Sequence, residues 1–207
     1  MRNNSSKSNR TMKTLTWLVK NSILITAAAF LCVGCAGIPR TVKVARITQP
    51  PAGKALVNFH RPSNYGGAVL VPIFDGNGKM LIDLPGGALY QHVCDPGEQI
   101  FVAWAERVSV VKADVAPDKI YDVLVDVSMG WVQANIFLSP VAKDSPRRAK
   151  LAEFEKRERA TLNLNPASPH IAAYETNSQP RIQEIKRDFL GGQKDERLKL
   201  LKKDDCR

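Results

Sequence analysis

Hydrophobic residues in the middle of the chain come in short runs, and a turn signal closes each run about every ten residues. Ala55–Phe59 ends at Arg61-Pro62-Ser63-Asn64 and the pair Gly66-Gly67, and Ala68–Phe74 ends at Asp75-Gly76-Asn77-Gly78. Lys79–Leu84 stops at Pro85-Gly86-Gly87, Ala88–Cys94 stops at Asp95-Pro96-Gly97, and Glu98–Glu106 carries Ile100, Val102 and Trp104 on one face. Arg107–Val115, Lys119–Ser128 and Trp131–Leu138 complete the series. The runs are β-branched or aromatic and too short for helices, so they predict strands. In Lys119–Ser128, Tyr121, Val123, Val125 and Val127 alternate with Asp122, Leu124, Asp126 and Ser128, the period of a half-buried antiparallel strand. Seven or eight strands at this spacing predict an all-β fold, an antiparallel β-sandwich over residues 54–141.

After Pro140 the pattern changes, and residues 142–207 read as a basic α-helical extension. Ser145-Pro146 opens a first helix, with Glu153/Arg157 and Glu155/Arg159 at i, i+4 on a solvated face. Asn163–Pro180 is rich in Asn, Pro and Ser and reads as an irregular linker. A second helix over Pro180–Leu190 carries Ile182, Ile185 and Phe189 on one stripe, Gly191-Gly192 breaks it, and a short third helix holds Leu198 and Leu201. The stripe is expected to dock on the chain's own domain, with an envelope partner or an anionic lipid surface as the alternative.

The N-terminal pattern is an address. Met1–Lys20 carries Arg2, Lys7, Arg10, Lys13 and Lys20 and no acidic residue, and Ser22–Val33 is an uncharged, mostly apolar run of secretory length. Leu31-Cys32-Val33-Gly34-Cys35 resembles the lipobox of bacterial lipoproteins. That resemblance implies cleavage after residue 34, lipid on Cys35 and a tether over 35–53. Ala36 stands where an inner-membrane retention signal would be Asp, which points to the outer membrane, facing the periplasm. An uncleaved anchor over the uncharged stretch 21–39, or a conventional cleaved signal, is the alternative.

The formal net charge of +10 suggests nucleic acid until its placement is read. Residues 1–20 hold +5; residues 36–140 hold nine Lys+Arg and nine Asp+Glu; residues 141–207 hold sixteen and eleven. The strand region is neutral, and an exported chain meets no nucleic acid, so none is expected as a partner.

The strand region itself resembles a family of small bacterial envelope lipoproteins with a domain of unknown function. The resemblance is carried by Lys54–Ser63, the Gly66-Gly67 hinge, the Pro96-Gly97 turn and Lys119–Val127. It implies an all-β domain on an envelope lipoprotein and brings no catalytic residue with it.

Chemistry is sparse. No nucleophile-elbow, zincin, P-loop or dinucleotide-binding string occurs. Asp75-Gly76-Asn77-Gly78 begins like a calcium loop, but Lys79 and Gly86 stand where oxygen ligands belong, so it reads as a type I′ hairpin turn. His92 and Cys94 share a strand face, and His60 is a third metal ligand only if it approaches from the first strand; no metal and no cofactor are expected. With Cys32 removed and Cys35 lipidated, Cys94 and Cys206 form a candidate disulfide, worth about 4 kcal/mol in the chain-entropy picture, unless Cys206 is frayed and free.

The expectation is therefore a membrane-anchored, non-enzymatic structural or binding module. Two alternatives remain. In one, a periplasmic enzyme or carbohydrate-binding protein has Trp104, Trp131, His60 or His92 lining a cleft. In the other, the basic tail binds peptidoglycan or anionic membrane, and deleting residues 141–207 leaves a folded domain.

Overall fold

The computed structural model describes residues 38–64, 69–132, 134–157, 160–190 and 198–207. Cys35, the signal segment, the Gly66-Gly67 hinge, Arg159 and Gly191-Gly192 lie outside them. All eight runs form strands: β2 (Ala55–Arg61), β3 (Val71–Asp75), β4 (Met80–Leu84), β5 (Ala88–Cys94), β6 (Gly97–Trp104), β7 (Val108–Val115), β8 (Ile120–Met129) and β9 (Ala134–Pro140). Three further strands appear among the described residues: β1 (Thr41–Val44) in the expected tether, and β10 (Thr161–Leu164) and β11 (Leu198–Leu201) in the expected helical extension. Two α-helices, α1 (Arg147–Lys156) and α2 (His170–Leu190), complete the set. No described helix is long and apolar enough to cross a membrane.

The strands make two mixed sheets, ordered β1-β10-β5-β2-β8-β9 and β11-β7-β6-β3-β4. The expected all-antiparallel pattern fails at three places. β2 runs parallel to β8, β10 to β5 and β11 to β7. Two of those pairings are made by the last third of the chain, which closes on open strand edges instead of trailing as helices. Leu198–Leu201 pairs in register with Val110–Ala113, and its Leu201 is buried. Four residues cannot nucleate a stable helix alone, so an available edge decides their conformation.

The largest apolar cluster draws on both sheets, with Val57, Phe59, Tyr90, Tyr121 and Val123 from one and Ile73, Ile82, Phe101, Val111 and Leu201 from the other. Phe59 anchors it, edge-on to Phe101 at 5.1 Å between centroids and stacked with Tyr90 at 6.0 Å. A second cluster lies under α2. Ile182, Ile185 and Phe189 pack on Phe74, Met80, Val102, Val108 and Val110, so the predicted stripe does dock on its own sheet. The helix begins ten residues before Pro180 and runs through it, absorbing most of the expected linker. Proline there forgoes one backbone hydrogen bond, which the packing of the apolar stripe offsets.

The turn at Asp75–Gly78 is a hairpin loop, but not type I′. Gly78 has φ +84° and Asn77 does not share it. Asp75 O accepts from Gly78 N at 3.0 Å, and Asp75 Oδ1 accepts from Asn77 N at 2.8 Å and Lys79 N at 2.9 Å. This is a type I turn with a left-handed glycine, beside a bulge at Ile73/Phe74. A Cβ on Gly78 would meet the Gln179 side chain, whose Nε2 donates to Asn77 O at 3.0 Å, so the glycine also lets α2 sit on the turn.

Candidate functional site

Alternation along β2, β5 and β8 sends Val57, Phe59, Tyr90, Tyr121 and Val123 into the core, so their neighbours Asn58, His60, Gln91 and Asp122 point out of the opposite face. That face is not solvated. Asn58 is 0%, Asp122 1% and Gln91 7% exposed, because α1, the segment at Ile47 and the residues before Arg207 cover it. Asn58 registers with Gln91 on one side and Asp122 on the other, which lines up one polar row. Gln91 exchanges two hydrogen bonds with the backbone of Ile47 (2.6 and 2.9 Å) and donates to Asn58 Oδ1 (2.9 Å). Asn58 donates to Asp122 Oδ1 at 3.0 Å.

Asp122 is the hub. Its Oδ1 also lies 2.8 Å from His60 Nε2, and its Oδ2 accepts from Arg148 Nη1 at 2.9 Å and faces Arg207 Nε at 3.4 Å. Arg207 then forms a two-pronged pair with Glu155 (Nη1 to Oε2 3.0 Å, Nη2 to Oε1 2.9 Å), and Arg46 reaches Glu155 Oε1 at 2.8 Å. Arg148 spends its remaining N–H groups on the carbonyls of Val141, Ala142, Lys143 and Asp205. Glu155, expected on a solvated helix face, instead turns inward to two arginines.

Burial alone would raise the Asp122 carboxyl, but the hydrogen bond and charge of His60, the Arg207 charge and the Asn58 amide outweigh it and hold the pKa well below the usual carboxylate range. Glu155 is depressed in the same way, burial being overcome by Arg207, Arg46 and His60. With Asp122 ionised, His60 Nε2 carries the proton of their hydrogen bond. The Nδ1 atom is buried with no partner, and Phe154 of α1 stands edge-on to the ring at 6.0 Å.

His60, Asp122 and Glu155 place one ligand atom each within 4.8 Å of one another, the spacing of a metal site. Both carboxylates are already committed to guanidinium groups, and three arginines oppose a further cation. The arrangement acts as a lock between the first sheet and the last third of the chain.

The residues expected to gather at one concavity are scattered. His60 and His92 leave opposite faces of the first sheet, since His92 registers with inward-facing Val57 and meets Phe101 edge-on at 5.7 Å. His92 is lowered by burial, with Asp75 opposing and Lys79 reinforcing, and it borders a shallow cavity of about 410 Å³ with Lys79, Tyr90 and Gln91. Trp131 is 98% exposed at the β8–β9 turn beside Met129 and Val132.

Cys94 and Cys206, the candidate disulfide pair, are both free in the structure. Cys94 registers with Ala55, Leu56 with Ile120, and Arg207 N donates to Ile120 O at 3.0 Å. The backbone beside Cys206 is thus three strand spacings from Cys94, about 14 Å at about 4.8 Å each, whereas a disulfide needs Cα atoms within about 7 Å. Burial, with the Asp95 charge, pushes the Cys94 thiol up to about 11, against the opposing Lys54 charge. Iodoacetamide at pH 8 should therefore label Cys206 in the native chain and spare Cys94, both reacting once the chain is unfolded without reductant. A disulfide-linked peptide from these two cysteines in the mass spectrum would overturn the assignment.

Trp104 lines a second cleft, of about 360 Å³. Its floor is Pro72, Phe74 and Trp104, the two rings stacked at 4.7 Å and 18°. Its wall is one flank of α2, where His170, Tyr174, Asn177, Ser178 and Arg181 recur every three or four residues. Beside it a void of about 10 Å³, bordered by His170 and Tyr174 as well, is lined by Arg40, Asp83 and Ser168. Asp83 Oδ2 takes Arg40 Nη1 at 2.7 Å, while Asp83 Oδ1 and Ser168 Oγ have no hydrogen-bond partner.

No family model, curated protein or solved structure matches the chain.

Proposed function

We propose that the chain is an exported, lipid-anchored binding module of the bacterial cell envelope, tethered through Cys35 to the outer membrane on its periplasmic side, with its two sheets stacked as a β-sandwich and no catalytic step of its own. One observation carries the reading. The carboxylates and histidine best placed for acid–base work are consumed in a buried arginine lock, whereas the accessible cleft presents groups that hold a ligand rather than attack one. The resemblance of Leu31–Cys35 to a lipobox, and that of residues 54–140 to envelope lipoproteins, support the location. Anchoring by lipid is durable only with more than one acyl chain, which diacylglyceryl cysteine satisfies.

A free basic arm reaching for peptidoglycan or anionic lipid fits the geometry less well, because β10, β11, α1 and α2 are built into the fold. Metabolic labelling with a clickable fatty acid tests the anchor. Wild type should take up label and fractionate with the outer membrane, and Cys35→Ala should lose both. Absence of label from wild type would sink the lipoprotein reading.

A further inference from the structure

The cleft between β3, β6 and α2 is built in two halves that behave differently. Beyond Arg181 the helix closes directly on the sheet through Ile182, Ile185 and Phe189. Before it, the flank facing Phe74 and Trp104 carries mostly polar side chains and leaves an open cleft over the two rings. A polar wall facing an aromatic floor across an open cleft leaves both sides hydrated, so a ligand that displaces this water must satisfy the wall as well as cover the floor.

The character of the missing occupant follows from the donors and acceptors on show. The aromatic floor offers a flat apolar face. Asn177, Ser178 and Tyr174 are neutral groups that both donate and accept. Arg181, the cation a phosphate or carboxylate would seek, is already held by Glu184 at 2.5 Å. Below the cleft, Asp83 Oδ1 is a buried acceptor with no donor, next to an unpartnered Ser168 hydroxyl and a void of about 10 Å³, close to the minimum for one oxygen. Arg40 and Arg181 are each matched by a carboxylate, Asp83 and Glu184, so neither offers an anion an unopposed charge. A neutral ring with an apolar face and several hydroxyls fits the aromatic floor and the neutral donors and acceptors of the wall.

We infer that this cleft is a saccharide site: a pyranose ring lies on Trp104, its hydroxyls meet Asn177 and Ser178, and one hydroxyl, directly or through a water, supplies the donor that Asp83 lacks. The inference rests on the reading of the chain as a binding module and names the ligand of that module. The cleft volume matches the lower end of small-ligand pockets, which limits the occupant to one or two sugar rings.

The full chain, extracted in lauryldimethylamine oxide so that no sugar headgroup competes, is titrated with N-acetylglucosamine, methyl glucoside, chitobiose and cellobiose under saturation-transfer NMR, with indole as an aromatic control. At least one saccharide should bind. Trp104→Ala should weaken it about tenfold or more, Trp104→Phe should restore most of the loss, and the exposed Asn177→Ala should weaken it severalfold with an unchanged unfolding curve. Saccharide binding indifferent to both Trp104→Ala and Asn177→Ala overturns the site. Indole binding without saccharide binding overturns the ligand class and leaves the binding module standing, while no binding of any probe overturns both.

Discussion

Asp122→Ala is expected to destabilise the fold by about 3–5 kcal/mol, the range for removing one partner from a buried charge pair. The substitution deletes the shared acceptor of Asn58 Nδ2, His60 Nε2 and Arg148 Nη1 and the counter-charge facing Arg207 Nε. Glu155 then faces Arg46 and Arg207 as the single carboxylate of the cluster, and Arg148 keeps its carbonyls but loses its only anion. A loss of this size is a third or more of a typical domain's ~5–15 kcal/mol, and it lowers Tm by roughly 10 °C in a chain of this length. Urea unfolding of wild type and Asp122→Ala measures it, and a difference under about 1 kcal/mol would show that the lock contributes shape but little stability.

The same carboxylate gives the fold a pH signature. Its pKa in the folded chain lies far below the ~3.9 of an unfolded aspartate, and Glu155 is shifted in the same direction. A depressed folded pKa stabilises fully above the unfolded value and progressively less as pH falls toward the folded one. The contribution is therefore complete at neutral pH and drains away below about pH 4. Asp122→Asn, which retains one acceptor oxygen but no charge, should flatten that acid limb while costing less than alanine at pH 7.

Eight strands were legible because each is a short, mostly β-branched or aromatic run, most of them closed by glycine, proline or asparagine. The elements that escaped depend on distant partners. Thr41–Val44 and Thr161–Leu164 are each four residues long and become strands by pairing with each other, Thr41 with Leu164 and Val44 with Thr161. Neither carries enough local preference to declare itself. The charge cluster was hidden for a related reason. Asp122 sits at an even position of an alternating strand, which reads as the solvent side, and only the covering by α1 and Arg207 turns that side into an interior. The signal available beforehand was the coincidence of Asn58, Gln91 and Asp122 at the centres of three apolar runs, where a solvated face would carry longer charged side chains.

Deleting residues 142–207 should abolish cooperative folding, the opposite of what a detachable helical tail implies. The deletion takes β10 from between β1 and β5 and β11 from the edge of β7. It strips α2 from Phe74, Met80, Val102, Val108 and Val110, leaving five apolar side chains that are now 6% exposed or less facing water. It also removes Arg148 and Arg207 from Asp122, leaving that carboxylate only Asn58 and His60 and uncovering its face of the sheet. Seven buried apolar side chains go with the segment: Leu151, Phe154, Leu162, Ile182, Ile185, Phe189 and Leu201. At about 1.5–3 kcal/mol each their burial sums to on the order of 10 kcal/mol, as much as a domain of this size has in total. The shortened chain should bind a hydrophobic dye, show no cooperative thermal transition by circular dichroism and be digested throughout by a protease that leaves wild type intact. A sharp melt from residues 1–141 would mean that the first eight strands hold together alone and that the arginine lock and α2 are additions to a finished core. The milder Phe189→Ala, expected to cost about 3–5 kcal/mol, separates the two cases in an intact chain, because it loosens α2 from the second sheet without touching Asp122.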